Sequence, residues 1–238
     1  MKRWYVGLLA SALLSVCSYA DALKIAAGAG YKKPVQEVIK LYEAKYPKVE
    51  AIYGNMAQIF AQAKQMDIAV VIADKKFLEK QKELTFVEYQ TIGEGKAVIA
   101  YAKGVHLEKA EDIADASIKS VGMPEAKKAI YGDAGIEFLE NAKLTDKVKD
   151  KLIVVATVPQ VSAYVGSHEV DAGIMNLTAA LDSFDKIGGY VKIPEHYYGK
   201  IEIVAGSLKA CESDATCRQF KAFLKTPEAK AVFEKYGL

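Results

Sequence analysis

Short apolar, β-branched runs alternate with amphipathic helical runs along this chain, and this alternation limits its possible folds more than any other feature. Residues 68–72 read Ile-Ala-Val-Val-Ile and have no polar face, as expected of a strand covered on both sides. Residues 34–45 instead repeat their apolar side chains with helical spacing. Strands that alternate with helices are typical of α/β proteins with parallel sheets.

The same pattern extends over the whole chain beyond the N-terminal segment. The predicted strands are 23–27, 48–53, 68–72, 96–101, 118–123, 153–156, 170–175 and 201–205. The predicted helices are 34–45, 56–65, 75–82, 133–141, 146–152, one that ends at Val165, 177–183, 214–224 and 227–236.

These elements form two groups, and the last strand and helices are left over. We therefore expect an α/β protein with two lobes, each a mostly parallel sheet flanked by helices. Residues 21–102 and 203–238 are expected to form lobe 1, and residues 103–202 lobe 2. Two crossovers between the lobes would act as a hinge, with a cleft between the lobes.

The N-terminus has the pattern of an export signal. Two basic residues precede an apolar stretch at residues 5–16, and Ser-Tyr-Ala at residues 18–20 suits a signal peptidase. We expect residues 1–20 to be a cleaved signal peptide, with Ala22 as the other cleavage point, and the protein to be periplasmic. A lipoprotein anchor at Cys17 is the alternative, but the valine before it is bulky where a small residue is preferred.

Charge and composition exclude several classes of protein. The 238 residues include 32 Lys and Arg against 30 Asp and Glu, and removal of residues 1–20 takes away Lys2 and Arg3 only. The remaining chain is therefore close to neutral, which disfavours a nucleic-acid groove. Hydrophobic residues make up 51% of the chain, as in a folded globular protein. We expect a monomer without a nucleic-acid partner.

Two cysteines remain after removal of the signal segment. Cys211 and Cys217 are separated by five residues, and in an oxidising compartment this spacing predicts a local disulfide bond. The alternative, a metal site, has no histidine or further cysteine nearby in the sequence to support it.

The sequence offers little for catalysis. His106, His168 and His196 are scattered and share no ligand spacing, and serine-elbow, zinc and nucleotide-loop motifs are missing. The glycine turn at residues 28–30 lacks the third glycine of a dinucleotide-binding loop. We therefore expect no catalytic residue, no metal and no cofactor.

Several segments resemble the periplasmic molybdate- and tungstate-type substrate-binding proteins of ABC transporters. Residues 23–28 and 34–39 resemble the first strand, loop and helix of that family, and Glu-Val-Asp-Ala-Gly-Ile at residues 169–174 resembles a later strand entry. Residues 72–78 resemble its segment of strand, alanine-aspartate and helix. The segments 223–230 and 233–237 are similar to the closing helices of many such proteins.

The resemblance implies a type II periplasmic binding protein fold, an ABC permease as partner and molybdate or tungstate as ligand. In that family, serine hydroxyls and backbone N–H groups hold the oxyanion, often with a tyrosine. The resemblance places Ala29 or Gly30 at the first serine, Gly54 and Asn55 at the second, and Asn176 at the tyrosine. These replacements allow other cargo, such as a small carboxylate or an anionic chelate.

The first-lobe candidates for ligand contact follow strands. Ala29, Gly30 and Tyr31 join a strand to a helix, where exposed N–H groups and a helix N-terminus favour an anion. The alternative is a plain tight turn. Asn55 follows the next strand and can donate and accept hydrogen bonds, although such a residue is equally typical of a helix N-cap.

The second-lobe candidates lie in three corresponding loops. Lys128 and Tyr131 precede a helix, although a solvated lysine and a packed tyrosine are the alternative. Val158 offers its N–H at another helix start, beside Thr157 as a helix cap. Asn176 follows a strand and is the strongest second-lobe candidate.

The sequence thus predicts a periplasmic protein that captures a small oxyanion in the inter-lobe cleft and delivers it to an ABC importer. One alternative is a periplasmic sensor that presents its ligand to a membrane receptor. Another, a periplasmic enzyme, would require turnover of the bound compound.

Overall fold

A computed structural model describes residues 22–238. The predicted signal peptide and Cys17 lie outside the described residues. The described chain folds into two five-stranded sheets, each flanked by helices, and so has the predicted two-lobed architecture.

The strands and helices alternate along the chain. The strands are β1 (Leu23–Gly28), β2 (Val49–Gly54), β3 (Val70–Asp74), β4 (Phe86–Gly95), β5 (Ala97–Tyr101), β6 (Val121–Pro124), β7 (Leu152–Val155), β8 (Ala172–Asn176), β9 (Gly189–Lys192) and β10 (Ile201–Leu208). The helices are α1 (Lys32–Glu43), α2 (Met56–Gln65), α3 (Lys75–Lys80), α4 (Ile130–Asn141), α5 (Thr145–Val148), α6 (Val158–Gly166), α7 (Leu177–Asp182), α8 (Ala210–Ser213), α9 (Ala215–Leu224) and α10 (Pro227–Lys235). Short 3₁₀ helices cover Ala29–Tyr31, Ala110–Ala114, Lys149–Lys151 and Glu195–Tyr197.

The two sheets share one plan. The first has the order β2-β1-β3-β10-β4 and the second the order β7-β6-β8-β5-β9. In the first sheet, β1 is parallel to β2 and β3, and β10 is antiparallel to its neighbours β3 and β4. In the second sheet, β6 is parallel to β7 and β8, and β5 is antiparallel to its neighbours β8 and β9. Each sheet is therefore mixed, and a single strand opposes the direction of the others.

The chain crosses between the sheets twice, from β4 to β5 and from β9 to β10. Ile201 at the start of β10 pairs with Gly95 at the end of β4, so the two crossings lie side by side. The side chain of Lys96, in the first crossing, forms ion pairs with Glu94 and with Glu195 of the second, both at 2.7 Å. Adjacent crossings of this kind form a two-stranded connection between the lobes.

The predicted lobe boundaries need correction at the crossings. Residues 97–101 were expected in lobe 1, but β5 is hydrogen-bonded into the second sheet. Residues 201–202 were expected in lobe 2, but they begin β10 of the first sheet. The sheet to which each of these segments belongs depends on the strands with which it pairs. The sequence of an apolar strand does not by itself indicate which sheet it will join.

Some elements differ from the sequence pattern. β4 and β9 were not predicted, and residues 146–152 form α5, a 3₁₀ turn and the start of β7 rather than one helix. β4 mixes polar and apolar residues, and its register against β10 is irregular between Phe86 and Glu88 and between Thr91 and Gly93. Its strand conformation depends on the neighbour with which it pairs.

The C-terminal helices complete the first lobe. The rings of Phe220 and Phe223 on α9 form T-shaped contacts with the Tyr42 ring of α1. The Lys235 ammonium contacts the Glu37 carboxylate at 2.9 Å. The predicted disulfide bond is present between Cys211 and Cys217, where it joins α8 to α9. Of the helices within residues 22–238, none combines the length and apolarity needed to cross a bilayer.

Candidate ligand site between the lobes

A small cavity of about 30 Å³ lies between the lobes. It receives residues from both halves of the chain and so lies on the seam that closes the cleft. Its lining consists of Gly28, Ala29, Gly30, Tyr31, Gly54, Asn55, Met56, Ala129, Ile130, Tyr131, Thr157 and Val158. No charged side chain of the described chain lines it.

Three helices begin at this cavity. α2 starts at Met56, α4 at Ile130 and α6 at Val158, and these three first residues all line the space. The first N–H groups of a helix have no partner within the helix, and the helix dipole places partial positive charge there. The cavity therefore suits an anion through the dipoles of the three helices, although the Met56 N–H of α2 already donates to the Lys128 carbonyl and no cationic side chain of the described residues lines it.

The predicted residues Ala29, Gly30, Tyr31, Asn55, Tyr131 and Val158 all line this cavity. Sequence reasoning did not select Met56, Ala129 or Ile130. All three residues lie at or next to the start of α2 or α4, and this position was the sequence signal that could have identified them.

A pair of tyrosines forms one side of the cavity. The hydroxyl oxygens of Tyr31 and Tyr131 lie 2.7 Å apart and both side chains are buried. Burial raises the pKa of both phenols well above the ordinary value, so both are neutral at physiological pH. In such a pair, one hydroxyl donates a hydrogen bond to the other. The accepting hydroxyl keeps its own hydrogen and can donate a hydrogen bond to a ligand oxygen.

Gly95, at the lobe crossing, provides the space for this pair. A Cβ added at Gly95 would overlap the Tyr131 hydroxyl and lie 3.2 Å from the Tyr31 hydroxyl. A glycine is therefore needed here for close approach rather than for backbone conformation.

Asn55 is engaged as a helix cap. Its Oδ1 accepts from the Gln58 N–H at 3.0 Å, and the Gln58 side chain accepts from the Asn55 N–H in return, which forms a capping box. Its Nδ2 donates to the Ala156 carbonyl of the second lobe at 3.4 Å. The side chain thus fixes the start of α2 and touches the opposite wall of the cleft.

Lys128 and Asn176 do not line the cavity. The Lys128 side chain forms an ion pair with Glu125 at 2.8 Å, while its carbonyl accepts from the Met56 N–H across the cleft. Asn176 caps α7 through Oδ1 and donates from Nδ2 to the Gly30 carbonyl at 3.0 Å. Both residues therefore join the lobes, and neither directs its side chain at the enclosed space.

A buried carboxyl lies near the tyrosine pair. Asp74 is 3% exposed, and its Oδ1 accepts from the Phe77 N–H at 3.3 Å to cap α3. Within residues 22–238, its Oδ2 has no hydrogen-bond partner. Burial raises the pKa of this carboxyl to about 6. Among the residues described, no cluster of three or more His, Cys, Asp or Glu side chains could hold a metal ion.

Known proteins resemble this chain in sequence and in fold. A family model described as bacterial extracellular solute-binding protein matches residues 23–238. A putative ABC transporter substrate-binding lipoprotein of Bacillus subtilis is 28% identical over 90% of this chain and 85% of its own. The molybdate-binding protein of Rhodobacter capsulatus is 24% identical over 94% of this chain and 90% of its own.

The solved periplasmic molybdate-binding protein of Azotobacter vinelandii has the same fold. It superposes with a TM-score of 0.81 at 22% identity, covering 90% of this chain and 97% of the other. At 22% identity, this likeness shows that the two proteins share a fold. It does not show which residues of this chain contact a ligand.

Proposed function

Because the chain belongs to the bacterial extracellular solute-binding protein family, we propose that it captures a small anion between its lobes for an ABC importer. The observation that carries this proposal is the convergence of α2, α4 and α6 on one cavity without a charged side chain. An anion that contacts helix N-termini of both lobes favours the closed form by its differential affinity.

Molybdate or tungstate is the first ligand to test, since curated and solved relatives are molybdate-binding proteins. The residues present would hold such an oxyanion through main-chain N–H groups, with a phenol of the Tyr31–Tyr131 pair as the remaining donor. Release to the permease would follow lobe opening, with no chemical change in the ligand. We further infer that the protein is exported by residues 1–20 and acts as a periplasmic monomer.

A panel of anions tests the proposal. Molybdate, tungstate, sulfate, phosphate, malonate and citrate are added to the purified protein and thermal unfolding is followed. A ligand present at about 100 times its Kd stabilises the folded state by about 2.7 kcal/mol, which is a clear rise in Tm. If none of these anions raises Tm, the proposal is wrong.

The N–H of Val158 provides a sharper test. Thr157 has extended backbone with φ −143° and ψ 155°, so it tolerates a following proline, and the first helical position accepts proline well. Val158→Pro removes the N–H of interest and should weaken binding of the strongest anion in the panel at least tenfold. Val158→Ala keeps the N–H and should change affinity less than threefold, as measured by titration calorimetry.

A further inference from the structure

A larger groove adjoins the small cavity. It has a volume of about 600 Å³ and lies between α1 of the first lobe and α6 and α7 of the second. Its volume is much larger than that of the cavity of about 30 Å³.

The groove and the cavity share a wall. Ala29 and Gly30 line both spaces. At the start of α6, Val158 lines the cavity and the next residue, Pro159, lines the groove. Asn176 bonds to the Gly30 carbonyl on this shared wall. The two spaces therefore lie on either side of the segment Ala29–Gly30 and the start of α6.

The groove is positively charged. Lys32, Lys33 and Lys186 line it together with the single acid Asp182. Lys33 and Asp182 form an ion pair at 3.5 Å that spans the two lobes. Within residues 22–238, neither Lys32 nor Lys186 has a carboxylate within 4.0 Å of its ammonium, so two positive charges are left without a counter-charge. An anionic group in the groove would provide it.

We propose that the natural ligand is an organic anion with two negatively charged groups, one at the helix N-termini of the cavity and one at Lys32 and Lys186. This inference rests on the proposed function and specifies its substrate class. A bare tetrahedral oxyanion would occupy the cavity alone and would make no use of the groove, where Lys186 has no counter-charge in the described part of the chain and the Lys32 ammonium lies 5.8 Å from the centroid of the Tyr53 ring.

Phosphonates of graded length provide the test. Titration calorimetry compares phosphate with phosphonoacetate, 3-phosphonopropionate and 4-phosphonobutyrate, which place a carboxylate one to three carbons from phosphorus. Ethyl-, propyl- and butylphosphonate are the matched compounds that carry the tail without the second charge. We expect at least one phosphonocarboxylate to bind tenfold more tightly than its uncharged match.

Two groove variants then locate the second charge. Lys32→Ala and Lys186→Ala should each reduce the affinity of that phosphonocarboxylate at least fivefold and leave phosphate within twofold. Lys40→Ala removes the same charge from α1 outside the groove and should leave both ligands within twofold.

The outcomes separate this inference from the proposed function. If molybdate, sulfate or phosphate binds and no phosphonocarboxylate exceeds its uncharged match, the inference is overturned and the anion-binding function stands. The inference is also overturned if the charged tail helps but the two groove variants behave like Lys40→Ala. If no anion binds, the proposed function fails and the inference fails with it.

Discussion

The hydroxyl oxygens of Tyr31 and Tyr131 lie 2.7 Å apart although the residues stand 100 positions apart and on opposite sides of the cleft. The contact is buried and lines the candidate cavity. This hydrogen bond forms only when the two lobes are in contact. Its removal should therefore weaken closure of the lobes.

Removal of both hydroxyls should cost less than the sum of the two single removals. Tyr31→Phe or Tyr131→Phe leaves a buried hydroxyl without its partner, which costs about 1–2 kcal/mol, whereas the double variant leaves none. We expect the free energy of unfolding in urea to fall less in the double variant than the sum of the two single losses. Strict additivity would show that the two hydroxyls do not interact.

Gly95→Ala should obstruct closure. The added methyl group overlaps the Tyr131 hydroxyl and comes within 2.9 Å of the Ile201 side chain. We expect a loss of ligand affinity of at least tenfold, measured with the strongest anion of the panel. In a Tyr131→Phe background the same substitution should cost at least threefold less, since the overlapping oxygen is gone. An equal loss in both backgrounds would contradict this explanation.

Asp74 should make stability depend on pH. Its pKa is raised to about 6 in the folded protein against about 3.9 in an unfolded chain, so the folded state binds the proton more tightly. The favourable contribution is complete below about pH 4 and is lost as pH rises through 6. Asp74→Asn keeps an oxygen for the cap and should raise the free energy of unfolding at pH 7.5 by about 1–3 kcal/mol.

That gain should shrink towards pH 4. Urea unfolding of the Asp74→Asn variant between pH 4 and pH 8 measures it, and Asp67→Asn, which removes an exposed carboxylate, provides the control. A gain for Asp74→Asn that does not vary with pH would mean that titration of this carboxyl is not its cause.

Loss of the disulfide bond should weaken the first lobe without changing the cleft. Both sulfurs are buried between α8 and α9, and neither cysteine lines the cavity or the groove. Cys211→Ser with Cys217→Ser should lower the free energy of unfolding by about 2 kcal/mol. Ligand affinity should stay within twofold of the unsubstituted protein, and a larger change would link this loop to the cleft.

Substitutions at Asn176 test its two roles, the N-cap of α7 and the contact between the lobes. Asn176→Asp keeps an oxygen to accept from the Ala179 N–H but loses the donor to the Gly30 carbonyl. Asn176→Ala loses both. We expect both variants to bind ligand at least threefold more weakly and to be less stable in urea unfolding. The alanine variant loses about 1 kcal/mol from the cap, and the aspartate variant buries a carboxylate beside the Gly30 carbonyl. Unchanged affinity would show that the bond to Gly30 does not help hold the cleft closed.

Helices and strands were predictable where the residues of a segment themselves indicate its secondary structure. α2 has the predicted bounds of 56–65, and Asn55, Asp74 and Thr226 sit at the helix N-caps that their residue type favours. β4 was missed because its ten residues mix polar and apolar side chains, and only pairing with β10 holds them extended.

The candidate site was predictable in its loops and much less so in its side chains. The strand-to-helix turns at Gly30, Asn55 and Val158 do meet at one cavity, because strand ends at one edge of a sheet lie together. The partner of Tyr131 could not be predicted, since no local pattern relates it to Tyr31. The same holds for Asn176, whose two functional atoms are both occupied by backbone partners.

β10 lies inside the first sheet, between β3 and β4, although it is the last strand in the chain. All strands of the second sheet fall within residues 97–192. During synthesis, all strands of the second lobe therefore precede residues 201–208, which the first lobe needs to complete its sheet. The lobe that the described chain begins is the one it completes last.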